Sequence, residues 1–371
     1  MKRIVLVFLF LVAALYLWMQ GIQRFFPPAE HIEGFLSVNK NFKQETNPWI
    51  EPWQRWDTLH YQAIAENGYS AFDTALFTPP IYPLLMTLFS RAFSGNTLAA
   101  GLFISFAFAL GTVVTFYKLS REILGSEALA FQANLYLIFF PSAFFLIAAY
   151  AESAFLVCAM LCLYYAQKER WVLAGIFGGL AALIRSPGIL LVIPLMYAAW
   201  VAWQKGKTWQ GSLSVLITGG LSLLFPLYAW FSIRATPLDI VHAVGRGGYL
   251  TFPGLNILES VRRIFIGQLV AENLLELIFT LLFVLLIFPI WKKLPRIYAV
   301  YSVTMLIFLL SRMGHPQPLV SMARYVLEIF PAFMVLAIYG KHPILRRVIF
   351  YIFTTGLLFM SAQFALWGWV G

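Results

Sequence analysis

The sequence predicts an all-α polytopic membrane protein, and three observations predict it. Of 371 residues, 61% are hydrophobic and only 11% are charged, against about 25% charged in soluble domains. Mean hydropathy is +0.78, an excess that repeated membrane spans explain and a water-soluble core does not. The basic residues recur in short clusters between apolar runs, the pattern that orients helices in a bilayer. The net charge of +10 therefore does not read as a nucleic-acid surface, which needs a contiguous basic face.

The first span is Ile4–Gln20, behind Met1-Lys2-Arg3. It resembles a signal peptide, but the bulky run from Trp18 to Gln23 offers no small-x-small cleavage site, so it reads as a retained helix with its basic end in the cytoplasm. A polar interval follows over 21–75, broken at Pro27-Pro28, Asn47-Pro48 and Glu51-Pro52. Within it, Trp53–Gly68 predicts a short amphipathic helix whose Trp56, Leu59, Tyr61 and Ile64 face the membrane at its surface. Segment 76–93 is apolar but interrupted by Pro79-Pro80 and Pro83, and it ends at Arg91; it reads as re-entrant or interfacial. Further spans are expected near 98–117, 128–147, 150–167, 171–184, 188–203, 212–233, 274–291, 297–311, 324–340 and 345–367, about eleven in all. Cys158 and Cys162, four apart in an apolar run, read as packing residues rather than a disulfide.

Charge supports this arrangement. If 76–93 does not cross, the cytoplasmic side holds 14 of the 26 basic residues and, of the acids, Glu122, Glu127 and Glu169. Making 76–93 a crossing inverts every later loop and breaks the positive-inside rule. The whole chain, 1–371, then forms one transmembrane unit with a first external loop at 21–97 and a second at 234–273. No cytoplasmic segment is long enough for a nucleotide-binding domain.

This topology gathers Asp57, Glu152, Arg185, Arg246, Arg312, His315 and Arg324 at or near the outer face, where charges beside lipid are costly and mark function by default. Asp57 is the candidate general base, in a stretch with Arg55, Trp56 and His60. The competing reading is an exposed loop aspartate paired with Arg55. Glu152 tops a tight turn, as a site carboxylate or as a helix N-cap. Arg185 and Arg324 match phosphate oxygens or snorkel to headgroups. His315 reads as a loop residue, and Asp73 has no cluster around it. No His, Cys, Asp or Glu set has metal-ligand spacing. No cofactor is expected, although Asp57 and Glu152, if they converge, have the chemistry to share a divalent cation.

At these residues the sequence resembles the PIG-V family, the GPI mannosyltransferase II group of GT-C glycosyltransferases, and most its prokaryotic members. The matching pieces are Arg55-Trp56-Asp57 with Ile64-Ala65 and Gly68-Tyr69, then Phe77 with Pro80, Tyr82 and Pro83, then Phe140-Pro141 with Tyr150 and Glu152. Arg185-Ser186 with Gly188 and Arg324-Tyr325 with Phe330-Pro331 complete the series, in family order over about 55–331. The family's Asn-Pro is Phe140-Pro141 here, and its Arg-Ser-Asn-Gly is Arg185-Ser186-Pro187-Gly188. The resemblance implies a GT-C fold with its catalytic aspartate, Asp57, in the first external loop. It implies a polyprenyl-phosphate-sugar donor, a lipid or glycan acceptor, and inverting transfer of a sugar, mannose, at an outward-facing site. Arg324 and Arg185 are then the candidates for the phosphate, with Arg55, Trp56, His60, Tyr82, Tyr150, Glu152 and Tyr325 lining the substrates. Two rival readings stay open: a secondary transporter or lipid flippase, and a GT-C enzyme or polymerase that uses another sugar.

Overall fold

The computed structural model describes residues 1–28, 43–69, 76, 78–206, 209–236, 239, 248–268, 271–314 and 317–370. Arg246, His315, Asp73 and Phe77 lie outside the described residues. The chain is mostly helical, and among the described residues six helices are long and apolar enough to cross a membrane alone. These are α1 (Lys2–Phe25), α4 (Thr97–Leu124), α8 (Val192–Gln204, with the 3-10 turn Ser186–Leu191 before it), α9 with α10 (Gly211–Ser222 and Leu224–Ile233), α12 (Ala271–Lys293) and α16 (Pro343–Ala365). Hydropathy at this density, in helices of this length, makes it an integral membrane protein.

The expected count of about eleven spans is not confirmed by helix length, because the other apolar segments among the described residues are short or bent, for local reasons. The run expected at 128–147 is helical only as α5 (Glu127–Ile138). Pro141 lacks an N–H and disfavours helix before it, so the chain leaves α5 and continues as irregular backbone with the 3-10 turn Ala143–Leu146. Such backbone is tolerable at membrane depth only when covered by protein, and every residue from Phe140 to Leu156 is buried. The next helices, α6 (Glu152–Gln167), α7 (Trp171–Ile184) and α13 (Arg296–Leu310), are apolar but shorter than a bilayer core. The run expected at 324–340 bends by 88° between α14 (Met322–Tyr325, extended by a 3-10 turn to Glu328) and α15 (Pro331–Tyr339). Segment 81–93, comprising α3 (Ile81–Ser90) and a 3-10 turn, rises only about 20 Å at 1.5 Å per residue, too little to span about 30 Å.

Local chemistry sets the helix ends. Asn96 Oδ1 accepts the N–H of Ala99 at 2.9 Å and starts α4, which stops at Gly125 in the left-handed region. Ser126 Oγ accepts from Leu129 and starts α5. Where α7 meets α9, Gly175, Gly178 and Gly179 leave no room for a Cβ against Ile217, Thr218 and Leu221, and Thr218 Oγ1 donates to the Gly175 carbonyl at 3.1 Å. Without a hydrophobic drive between helices in lipid, close approach of this kind holds spans together.

Two features depart from the all-α expectation and from the proposed lipid-facing helix. A short antiparallel ribbon pairs β1 (Gly248–Leu250) with β2 (Arg312–Gly314), with Leu250 opposite Arg312. The helix expected at 53–68 exists as α2 (Asp57–Asn67), but Trp56, Leu59, Tyr61 and Ile64 are buried in protein, not turned to lipid. The helix packs against α3 and α4, Trp56 before it lies against the C-terminal tryptophans, and only the Glu66–Gly68 end is exposed. Phe140, where the family has asparagine, sits fully buried among Phe279, Phe283, Phe333 and Phe353. It is a packing residue, and that departure leaves the charged cluster untouched.

Candidate active site

Asp57 is the first residue of α2, and the backbone that delivers it is strained. Trp56, the residue before the helix, has φ of 50° and ψ of −119°, a conformation rare for a large side chain. Tyr150 staples this bend: its hydroxyl accepts the N–H of Asp57 at 3.1 Å and donates to the carbonyl of Arg55 at 3.3 Å. The Trp56 ring is clasped by Trp367 and Trp369, at centroid distances of 5.8 and 4.9 Å.

Arg55 faces the other way. Its guanidinium pairs with Glu51 at 2.9 Å and caps the C-terminal end of α16 through the Ala365 carbonyl at 3.0 and 3.2 Å. It ties the first loop to the last helix. Asp57 pairs instead with Arg324: Nη1 to Oδ2 is 2.7 Å. The Asp57 side chain is 27% exposed while Arg324 is 4% exposed, so the carboxylate faces open space with its counter-ion behind it. Burial pushes the Asp57 carboxyl up, but Arg324 and then His60 outweigh this and hold it below the usual carboxylate range. It is ionised at neutral pH.

Behind that pair lies a second ion network. Arg185, in the link between α7 and the turn before α8, pairs with Glu152 and, at 2.9 Å, with Glu328. Glu152, Arg185 and Glu328 are all buried. Arg324 Nε lies 3.5 Å from Glu152, so the Arg324 guanidinium stands between the Asp57 and Glu152 carboxylates. Arg324 itself is fixed from the backbone: the Ala323 N–H donates to Glu276 of α12, and the Ala323 carbonyl accepts from Ser142 Oγ at 2.7 Å. Gly188 makes the Arg185 turn possible, because a Cβ there meets the Ala181 and Ala182 backbone at 2.3 Å.

These groups wall a small cleft of about 90 Å³ that is partly open to solvent. Asp57, Tyr61, Arg185, Arg312, Arg324 and Tyr325 line it. Three guanidiniums surround the Tyr325 ring: Arg324 at 4.8 Å, Arg312 at 5.0 Å and Arg185 at 5.7 Å from its centroid. Of the other residues singled out from sequence, Tyr150 lies behind the cleft and Tyr82 is spent on Ser105 Oγ (2.6 Å) and the Gly101 carbonyl. Among the described residues no group of three or more His, Cys, Asp or Glu is placed to hold a metal ion.

A family model described as dolichyl-phosphate-mannose-protein mannosyltransferase matches residues 78–230. "GPI alpha-1,6-mannosyltransferase 2" of Cricetulus griseus is 27% identical over 196 residues, 50% of this chain and 40% of that protein. "GPI mannosyltransferase 2" of Schizosaccharomyces pombe is 27% identical over 207 residues, 53% and 44%. That of Yarrowia lipolytica is 30% identical over 125 residues, 33% and 35%. The chain thus spans less than half the length of these relatives. The crystal structure of ArnT from Cupriavidus metallidurans bound to undecaprenyl phosphate superposes with a TM-score of 0.54 over 90% of this chain and 59% of ArnT, at 13% identity. The chain is similar to these GPI mannosyltransferase 2 proteins, the PIG-V group, and shares the fold of ArnT.

Sequence reasoning about this PIG-V-like chain missed three cleft or support residues. Glu328 had a signal, a second charge four residues after Arg324 in an apolar run. Glu276 had one too, as an acid at the start of the long apolar run of α12. Tyr61 had none, because an aromatic on a short helix reads equally as a lipid contact.

Proposed function

We propose that the chain is a glycosyltransferase that moves mannose from a polyprenyl-phosphate donor to a lipid or glycan acceptor at the outer face of the cell membrane, with its N-terminus in the cytoplasm. The observation that carries this reading is Asp57: a carboxylate part-exposed at the cleft wall and paired with a buried arginine. In the step proposed, the acceptor oxygen bonds to the anomeric carbon as the bond from that carbon to the phosphate oxygen breaks. The configuration inverts, the acceptor proton passes to Asp57, and polyprenyl phosphate leaves with the electron pair. A carboxylate of depressed basicity suits this order. The oxocarbenium-like transition state makes the attacking hydroxyl acidic, so the proton moves late and needs only an ionised acceptor in reach. The leaving phosphate gains charge beside the cleft arginines, in a setting where water is scarce and fixed cations stabilise it most. Arg324 fills the space between the Asp57 and Glu152 carboxylates, so no step is assigned to a cation held there.

The names of the relatives support mannose, and the ligand named with ArnT supports the polyprenyl carrier. The test is transfer of radiolabelled mannose from polyprenyl-phosphate-mannose into lipid or glycan by membranes containing the protein. Labelled covalent product, absent from control membranes, is expected. Solute flux in proteoliposomes without covalent product would replace this reading with a transporter.

A further inference from the structure

The sequence offers Arg185 and Arg324 for the donor phosphate, but in the fold both are already committed. Arg185 is 8% exposed and held by two carboxylates, and Arg324 carries Asp57. A phosphate that took either guanidinium would leave a buried carboxylate without its counter-ion, which is the costly outcome in a low-dielectric site. Arg312 is different. It lines the same cleft, is half-buried rather than sealed, and rests on the Tyr325 ring at 5.0 Å. Among the described residues no carboxylate lies within ion-pair distance of it.

Its surroundings point towards lipid. Arg312 starts β2, opposite Leu250, and its carbonyl accepts from Asn256 Nδ2 at 2.9 Å. Asn256 belongs to α11 (Leu255–Phe265), a helix built against the rule for a protein in water. It turns Asn256 and Ser260 inward, to burial, and Leu255, Leu258 and Phe265 outward, at 41, 64 and 85% exposure. Arg262 is exposed on the same side and pairs with Glu259, which also holds Arg263. A short helix with an outward apolar face beside charged residues lies in a bilayer interface. Arg312, tied to that helix through Asn256, also lines the Asp57 cleft.

We infer that Arg312 is the guanidinium that binds the phosphate of the polyprenyl-phosphate donor, while Arg185 is a positioning residue that braces Glu152 and Glu328. This rests on the donor class proposed above. The probe is direct binding of polyprenyl monophosphate, with uncharged polyprenol as control, to purified protein in nanodiscs. Wild type, Arg312→Gln and Arg185→Gln are compared. Losing one charge-assisted contact predicts roughly tenfold to hundredfold weaker phosphate binding for Arg312→Gln, with Arg312→Lys intermediate and polyprenol binding unchanged. Arg312→Gln that binds the phosphate like wild type overturns the assignment and leaves the donor class standing. So does a folded Arg185→Gln that loses as much while Arg312→Gln loses nothing. Wild-type protein that prefers polyprenol, or ignores both lipids, overturns the donor class and this inference together.

Discussion

Asp57→Asn is the perturbation whose consequences the structure separates most cleanly. The change removes the proton acceptor but keeps a carbonyl oxygen where Oδ2 receives Arg324 Nη1 at 2.7 Å. Loss of a positioned base slows a reaction by about 10²–10⁴-fold, or about 3–5 kcal/mol in the barrier. Stripping the partner from a buried cation outright costs about 3–5 kcal/mol of stability. Here the amide oxygen still accepts from Arg324, and Glu152 remains 3.5 Å away, so the expected loss is only about 1–2 kcal/mol. The assay is initial-rate mannosyl transfer from polyprenyl-phosphate-mannose, run beside thermal unfolding of the same purified samples. A folded Asp57→Asn protein that melts within a few degrees of wild type and has lost at least a hundredfold in rate is the expected result. A folded variant within about threefold of wild type would refute the base assignment and move attention to Glu152.

Two further outcomes follow from the same geometry. Arg324 is the main group opposing the upward push of burial on the Asp57 carboxyl, so wild-type activity that needs the carboxylate falls only as pH drops through its depressed value. In Arg324→Gln burial is left less opposed, and the acid limb of kcat/KM against pH must move to higher pH; an unmoved limb denies the coupling. Gly188→Ala forces a Cβ onto the Ala181–Ala182 peptide at 2.3 Å and is expected to cost about 1–3 kcal/mol, read as a lowered melting temperature with transfer activity reduced through a displaced Arg185; a variant that melts with wild type would mean that the turn has slack.

What the sequence determines by itself here follows from one-dimensional patterning. Apolar run lengths and basic clusters mark the chain as a membrane protein, and Pro79, Pro80 and Pro83 mark 76–93 as no ordinary span. The ordered charged motifs single out Asp57, Glu152, Arg185 and Arg324 before any contact is known. Pairing is another matter, because it depends on which helices become neighbours. Arg55, adjacent to Asp57 in sequence, turns away to Glu51 and Ala365, while the cation that serves Asp57 comes from 267 residues further along. Hydropathy also cannot tell lipid from protein as the cover for an apolar side chain. Tyr61 and Trp56, expected at the membrane surface, are inside for that reason, and the apolar run after Ile138 is a buried loop rather than a crossing. Arg312 shows the converse. Its charge is plain in the sequence, but that it remains available while Arg185 and Arg324 are taken is decided only when the tertiary fold distributes the carboxylates.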